Sequence, residues 1–526
     1  MITVFSWTLA HLMNYRANGM DRGGCMKRRR RRIVGAAFAV IGLALVAPST
    51  SLARHSSLER GLLSAVRAAG FDEVIDFGPV DDACPSQSWC PSPTPTISSP
   101  PNVDVAVIEL RGNGRARRAA NVVLSRDYPQ GLVVPIDPNL GASAVRFRRW
   151  DIDRWNGGTY ASDGTQTTTK GWAGDPPRTL ADDIVAGREQ AAVEFMAPYP
   201  ASLFKLLVAF HTLRLVDRGV LDLDASYAYD PAGGCGGAAP GSETNRRWLD
   251  WMITSSDNRA ACALLKQLHG LGEVAGMNAE LGELGLGTLQ VNGTSALTGG
   301  IWQPGQIHMT ALDTARLLWL VEGGPGVLWN RPDGRPVTAG LLSDSSRALL
   351  RQLLAEQGFN DALSTTSFCG LEYPSPGIPQ LTAERWIDPD DGTVTVAGIP
   401  YGQDVRPCNA AAEVTFAHKT GLTYNYSSDA GIVRSLPGRP SRRYVVALLS
   451  NLGYRYSDAQ FATSETLPCF GVGVCHTQRI AQLGKRVDDL LRGGRPPAQQ
   501  AGGRSGAVPD PRTGEARRRA TERTGG

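Results

Sequence analysis

Lysine is what this sequence largely does without. Of 54 basic residues only six are lysine, namely Lys27, Lys170, Lys205, Lys266, Lys419 and Lys485. Arginine does not give up its proton in a protein, so chemistry that needs an uncharged amine has few positions to use. Metal-binding patterns are missing as well. No CxxC pair and no His/Cys cluster with zinc spacing occurs, so no metal and no cofactor is expected. No long membrane-spanning run stands out either: residues 33–47 are mostly apolar, but fifteen residues fall short of the about 20 that a bilayer requires. The net charge of +4 lies largely in the arginine-rich ends, 27–32 and 512–523, and makes no case for nucleic-acid binding.

What is present fits an ordinary globular chain of 526 residues, 42% hydrophobic and 20% charged. The basic run 27–32, the apolar stretch 33–47 and Ser51-Leu52-Ala53 have the layout of a secretory signal, with cleavage expected after Ala53. An uncleaved membrane anchor is the alternative, and Met26 leaves room for the first 25 residues to be an upstream start. Beyond Cys25 there are eight cysteines, an even number that suits an exported chain with disulfides. Pairing nearest neighbours joins Cys84 to Cys90, Cys235 to Cys262, Cys369 to Cys408 and Cys469 to Cys475.

The most informative stretch is Ala201-Ser202-Leu203-Phe204-Lys205, followed by an apolar run. Pro200 and Ser202 suit a helix start. Residues three apart share a helix face, so Ser202 and Lys205 are expected to face one cavity, with the serine at the positive end of the helix dipole. A serine becomes a nucleophile when a base takes its proton, and lysine is that base only when neutral. Neutrality at pH 7 requires lowering its pKa by roughly 3 units, about 4 kcal/mol, through burial and a second positive charge nearby.

Along the chain, helices are expected at 58–69, 202–219, 244–254, 309–322, 343–357 and 477–492, with a further apolar helix after Asn258. Strands are expected at 103–110, 413–419, 430–434 and 444–451. Residues 84–101 read as a Pro/Ser-rich loop, 125–187 as a segment with no clear period, and 368–409 as a tethered loop or lid. The division that follows is a leader at 1–53, an N-terminal part at 54–125, an insertion at 126–189, a main domain at 190–492 and a disordered basic tail at 493–526.

Three motifs stand in order: Ser202-Leu203-Phe204-Lys205, Ser256-Asp257-Asn258 and Lys419-Thr420-Gly421. Together they resemble the S-x-x-K, S-D-N and K-T-G set of class A β-lactamases and penicillin-recognising serine hydrolases. Residues 256–265, 280–286, 309–318 and 343–354 resemble stretches of the same domain. The resemblance implies an α+β fold, a three-layer α/β/α sandwich in which a mainly antiparallel sheet is flanked by helices beside an all-helical subdomain. It implies Ser202 as nucleophile, Lys205 as its base, Ser256 as proton relay and Lys419 as the second cation. Asn258, Thr420, Gly421 and Leu422 become substrate-binding, with the N–H groups of Ser202 and Leu422 as the oxyanion hole, and Asp257 holds the loop. The partner implied is a small-molecule β-lactam or a peptidoglycan stem peptide, bound by an exported monomer.

One departure concerns the loop glutamate with which class A enzymes activate water. No Asp or Glu occurs between Glu283 and Asp313, and His308 is the only possible base there. Three readings follow from this: a β-lactamase with slow deacylation, a D-Ala-D-Ala carboxypeptidase or penicillin-binding protein, and a non-enzymatic envelope-binding protein on the same scaffold.

Overall fold

The structure is a computed structural model that describes residues 56–74, 97, 100–149, 183–231, 235, 239–371, 375–401, 403–423, 426–453 and 475–492. The leader, the loop holding Cys84 and Cys90, and the basic tail lie outside the described residues.

Strand β1 (Val103–Leu110) alternates perfectly for a strand buried on both faces. Val103, Val105 and Val107 enter one apolar cluster, and Ala106, Ile108 and Leu110 enter another. It lies inside a six-stranded sheet. With β2 (Ala116–Leu124), β3 (Leu132–Val133), β6 (Val414–Leu422), β7 (Ser427–Ser435) and β8 (Arg443–Ser450), the order is β6-β7-β8-β1-β2-β3, antiparallel throughout. The two ends of the sequence therefore meet in one sheet, because β1 pairs with β8 from Val103 opposite Ser450 to Glu109 opposite Tyr444.

Helix α1 (Ser57–Ala68) is capped by a reciprocal Ser56 and Glu59 box and buries Leu58, Leu62 and Val66. It shares the first sheet face with α9 (His476–Leu491), which buries Ile480, Leu483 and Val487. The opposite face is covered by α2 (Lys205–Asp217), α3 (Asn245–Thr254), α4 (Asn258–Gly270), α5 (Glu273–Glu283), α6 (Ala311–Glu322) and α7 (Asp344–Ala355). This is the expected α+β arrangement of helices on both faces of an antiparallel sheet.

Three local readings change. Ser202 does not open an α-helix: it lies in a 3-10 turn, Ala201–Phe204, without a side-chain cap, and the α-helix begins at Lys205. The segment 126–189 also contributes structure that its sequence hid. Leu132–Val133 joins the sheet as β3, and β4 (Val145–Arg148) runs parallel to β5 (Val193–Met196) across the line drawn at 190. Strands of two and four residues are too short for a period to register. Finally, the stretch tied by Cys369 and Cys408 has its own small core of Phe368, Val394, Val396, Tyr401 and Val405. It includes a short helix, α8 (Arg406–Ala411), and Arg385 fastens it to Asp250 of α3 and to Glu356.

The disulfides Cys235–Cys262 and Cys369–Cys408 are formed, with Cα atoms 6.4 and 6.0 Å apart. Cys475 is also disulfide-bonded, while Cys84, Cys90 and Cys469 fall outside the described residues.

Candidate active site

The serine of the first motif is set by its backbone. Ala201 adopts φ +48°, a left-handed conformation that costs a non-glycine residue about 1–2 kcal/mol. Two contacts hold the turn there. The Ser428 hydroxyl on β7 donates to the Pro200 carbonyl at 2.5 Å, and Gly421 on β6 presses against the same turn. A Cβ on Gly421 would lie 2.5 Å from the Pro200 oxygen and 2.7 Å from the Leu203 nitrogen, so only glycine lets the strand approach this closely. Ser202 is half-buried.

Ser256 stands between α3 and α4, again with a left-handed backbone at φ +55°. Asp257 is the N-cap of α4 and accepts from the Ala260 N–H at 2.7 Å, a structural role that frees its neighbours to face inward. Lys205 is fully buried and reaches them: its Nζ donates to the Ser256 carbonyl at 2.6 Å, to the Asn258 Oδ1 at 2.7 Å and to the Ser256 Oγ at 3.3 Å. From the strand side, the Lys419 Nζ donates to the same Ser256 Oγ at 2.8 Å and to the Thr420 carbonyl at 2.8 Å. Ser256 is thus the hydroxyl on which two buried amines converge. Ser202, Lys205, Ser256, Asn258, Lys419, Thr420 and Gly421 gather where α2, α4 and β6 meet, and Leu422 ends the strand beside them.

Burial holds the Lys205 amine well below its ordinary pKa, and the charge of Lys419 pushes it the same way, against a weaker opposing pull from Asp257. Lys419 is lowered to about 7, also by burial, but Asp429 and Asp361 behind it favour its charged form. Lys205 has one opposing carboxylate where Lys419 has two, and it carries the added repulsion of Lys419, so it is the amine that loses its proton first. Asp429 is itself held, accepting from the Leu363 N–H at 3.1 Å and lying 2.8 Å from the His418 Nδ1, whose other nitrogen is 3.0 Å from the Asn360 Oδ1.

The loop that lacks an acid gives two results. His308 is fully buried, its Nε2 has no hydrogen-bond partner among the described residues, and burial together with Arg149 lowers its pKa to about 3, against the Gly305 carbonyl. So weak a base is poorly matched to taking a proton from water at neutral pH. What stands over the amine instead is Trp302, with its ring centroid 5.6 Å from the Lys205 Nζ and 5.1 Å from the Phe204 ring. Nothing in the loop's sequence pattern marked Trp302 or Ser428 for this role. Both are placed by contacts between segments distant along the chain.

Residues 182–366 match the model of the beta-lactamase enzyme family, a span that contains the first two motifs and ends before Lys419. This segment is similar to the beta-lactamase enzyme family. No curated protein matches the chain. Among solved structures, a beta-lactamase from Streptosporangium roseum aligns at 17% identity over 56% of this chain and 84% of its own, with a TM-score of 0.35. A beta-lactamase from Chitinophaga pinensis aligns at 18% over 55% and 85%, with a TM-score of 0.34. The structure of PBP-A aligns at 18% over 56% and 80%, with a TM-score of 0.32. Likeness at this level transfers no activity to this chain.

Proposed function

We propose that the protein is an exported serine hydrolase of the class A type, which opens β-lactam amides through an acyl-Ser202 intermediate. The observation that carries this reading is the position of Lys205, a buried amine hydrogen-bonded to Ser256 and Asn258 with a second lysine across the same hydroxyl. Neutral Lys205 takes the proton of the Ser202 hydroxyl as its oxygen attacks the lactam carbonyl. The tetrahedral oxyanion is received by the N–H groups of Ser202 and Leu422, where losing one donor typically costs about 10²–10³ in rate. Ser256 passes a proton to the departing nitrogen, and the C–N bond breaks to leave the ester. Charged Lys419, with Thr420, binds the substrate carboxylate, and Asn258 binds its amide side chain. Export is supported by the signal-like segment 26–53 and by the disulfides, which persist in oxidising compartments.

The test is intact-mass analysis after incubation with a penicillin. The unchanged protein gains the mass of the drug on Ser202, and Ser202→Ala gains none. Absence of both an adduct and turnover on any β-lactam rejects the reading.

A second reading in the same chemistry is favoured by the acid-free loop and by the buried His308: a D-Ala-D-Ala carboxypeptidase or penicillin-binding protein. A chromogenic cephalosporin separates the two. Rapid loss of colour substrate supports the lactamase, and one equivalent consumed into a lasting adduct supports the peptidase.

A further inference from the structure

We propose that Trp302 keeps hydrolytic water from the acyl-Ser202 ester, so that its ring sets how long the acyl-enzyme lasts. The inference rests on the acyl-serine reading above and adds a residue to it. Water attacks an ester when a base polarises it and when it has room beside the carbonyl. The loop supplies no carboxylate from Leu284 to Leu312, and in place of an acid it lays an indole over the amine that follows Ser202 by one turn. An aromatic face offers a water molecule no strong acceptor, so a site walled by it holds water poorly.

The ring is fixed in place. Its Nε1–H donates to the Gly299 carbonyl at 2.9 Å, and the loop closes on itself through Gly299 N–H to Ser295 O at 2.7 Å and Ser295 N–H to Gly300 O at 2.8 Å. Tyr229 donates its hydroxyl proton to the Thr298 carbonyl at 2.9 Å, tying the loop to the layer below. Gly299 leaves no space for a Cβ against the backbone of Cys262, and Gly300 lies beside Cys235, so the loop is seated on the disulfide that fastens α4. Ile301, directly before the indole, is held at φ +64°, a conformation that a β-branched residue adopts only under constraint, and its side chain is 59% exposed. Turning Ile301 outward and Trp302 inward is what that backbone accomplishes.

The experiment follows the penicillin adduct by intact mass over time in the unchanged protein, in Trp302→Ser and in Trp302→Phe. Release from Trp302→Ser is expected to be at least about tenfold faster, the low end of what an admitted, positioned water contributes. Trp302→Phe, which keeps an apolar ring and loses the bond to Gly299, is expected to stay within about threefold of the unchanged protein. A measurement on the unchanged protein stands beside the variants: hydroxylamine, a small strong nucleophile, is expected to strip the acyl group slowly from the folded adduct and rapidly after denaturation. An adduct equally long-lived in all three proteins, or stripped by hydroxylamine as fast folded as unfolded, overturns the role of Trp302 and leaves the acyl-serine reading standing. No adduct in the unchanged protein removes both.

Discussion

Ser256 joins the two lysines of the site, and the proton inventory of that pair dictates how the protein responds to pH. Acylation requires Lys205 uncharged and Lys419 charged at the same time. Burial and the charge of Lys419 favour the uncharged form of Lys205, whereas Lys419 itself is lowered to about 7. The rate of Ser202 acylation is therefore expected to fall as pH rises through about 7, where Lys419 loses its proton. The position of that limb belongs to the coupled pair. Asp429 favours the charged form of Lys419, so Asp429→Asn removes a support for the proton and moves the alkaline limb to lower pH. The amide keeps an oxygen to accept from the Leu363 N–H, which limits collateral damage. Adduct formation measured from pH 5 to 9 decides the matter: a limb unmoved in Asp429→Asn rejects the assignment of that limb to Lys419.

At the scale of elements, the decisive contact is between β6 and the 3-10 turn that carries Ser202. Gly421→Ala places a methyl 2.5 Å from the Pro200 oxygen, 2.6 Å from the Ser428 Oγ and 2.7 Å from the Leu203 nitrogen, and two of these three neighbours are backbone. The turn or the strand must move. A displacement near 1 Å at a reacting group can cost about 10²-fold in rate, so acylation is expected to drop by that order. The stability loss from such overpacking is about 1–3 kcal/mol, read from a urea denaturation curve. Unchanged acylation in a folded Gly421→Ala protein counts against the turn as the site's positioning device. The same contact explains what was legible beforehand. β1 announced itself by alternation, β8 by a nearly continuous apolar run, and α1, α2, α3, α4, α6, α7 and α9 by helical spacing, whereas α5 was not expected from the sequence. The three motifs marked the side chains that converge. The turn around Ser202 read as a helix start because nothing in an alanine signals φ +48°, which is imposed by Ser428 and Gly421 from the sheet. β3, β4 and β5 were hidden because strands of two to four residues owe their existence to the partner across the ladder.

Over the whole molecule, the two described disulfides make different demands on the fold. Cys369–Cys408 closes a sequence separation of 39, and loop closure alone gives it about 4 kcal/mol in the chain-entropy account, with strain and residual unfolded structure reducing the figure. The excursion it ties off has its own apolar cluster and touches α3 and Glu356 through Arg385, and its Gln380 donates to the Asn360 Oδ1, which connects to the lysine pair through His418 and Asp429. Cys235–Cys262 closes a separation of 27 and has nearly the same entropic value, yet Cys262 lies on α4 one turn after Asn258, and the Cys235 sulfur is 3.7 Å from the Asn258 carbonyl. The same bridge seats the loop that carries Trp302. Replacing each pair by serine is therefore expected to lower stability by similar amounts, up to about 4 kcal/mol, while separating in function. Cys369→Ser with Cys408→Ser keeps Ser202 acylation within about twofold. Cys235→Ser with Cys262→Ser loosens Asn258 beneath Lys205 and slows acylation by about tenfold or more, as displaced positioning groups do. Urea denaturation gives the first comparison and timed intact mass with a penicillin gives the second. Equal acylation rates in the two folded variants contradict the placement of the 235–262 bridge as a support of the site, since the entropic term alone cannot distinguish them.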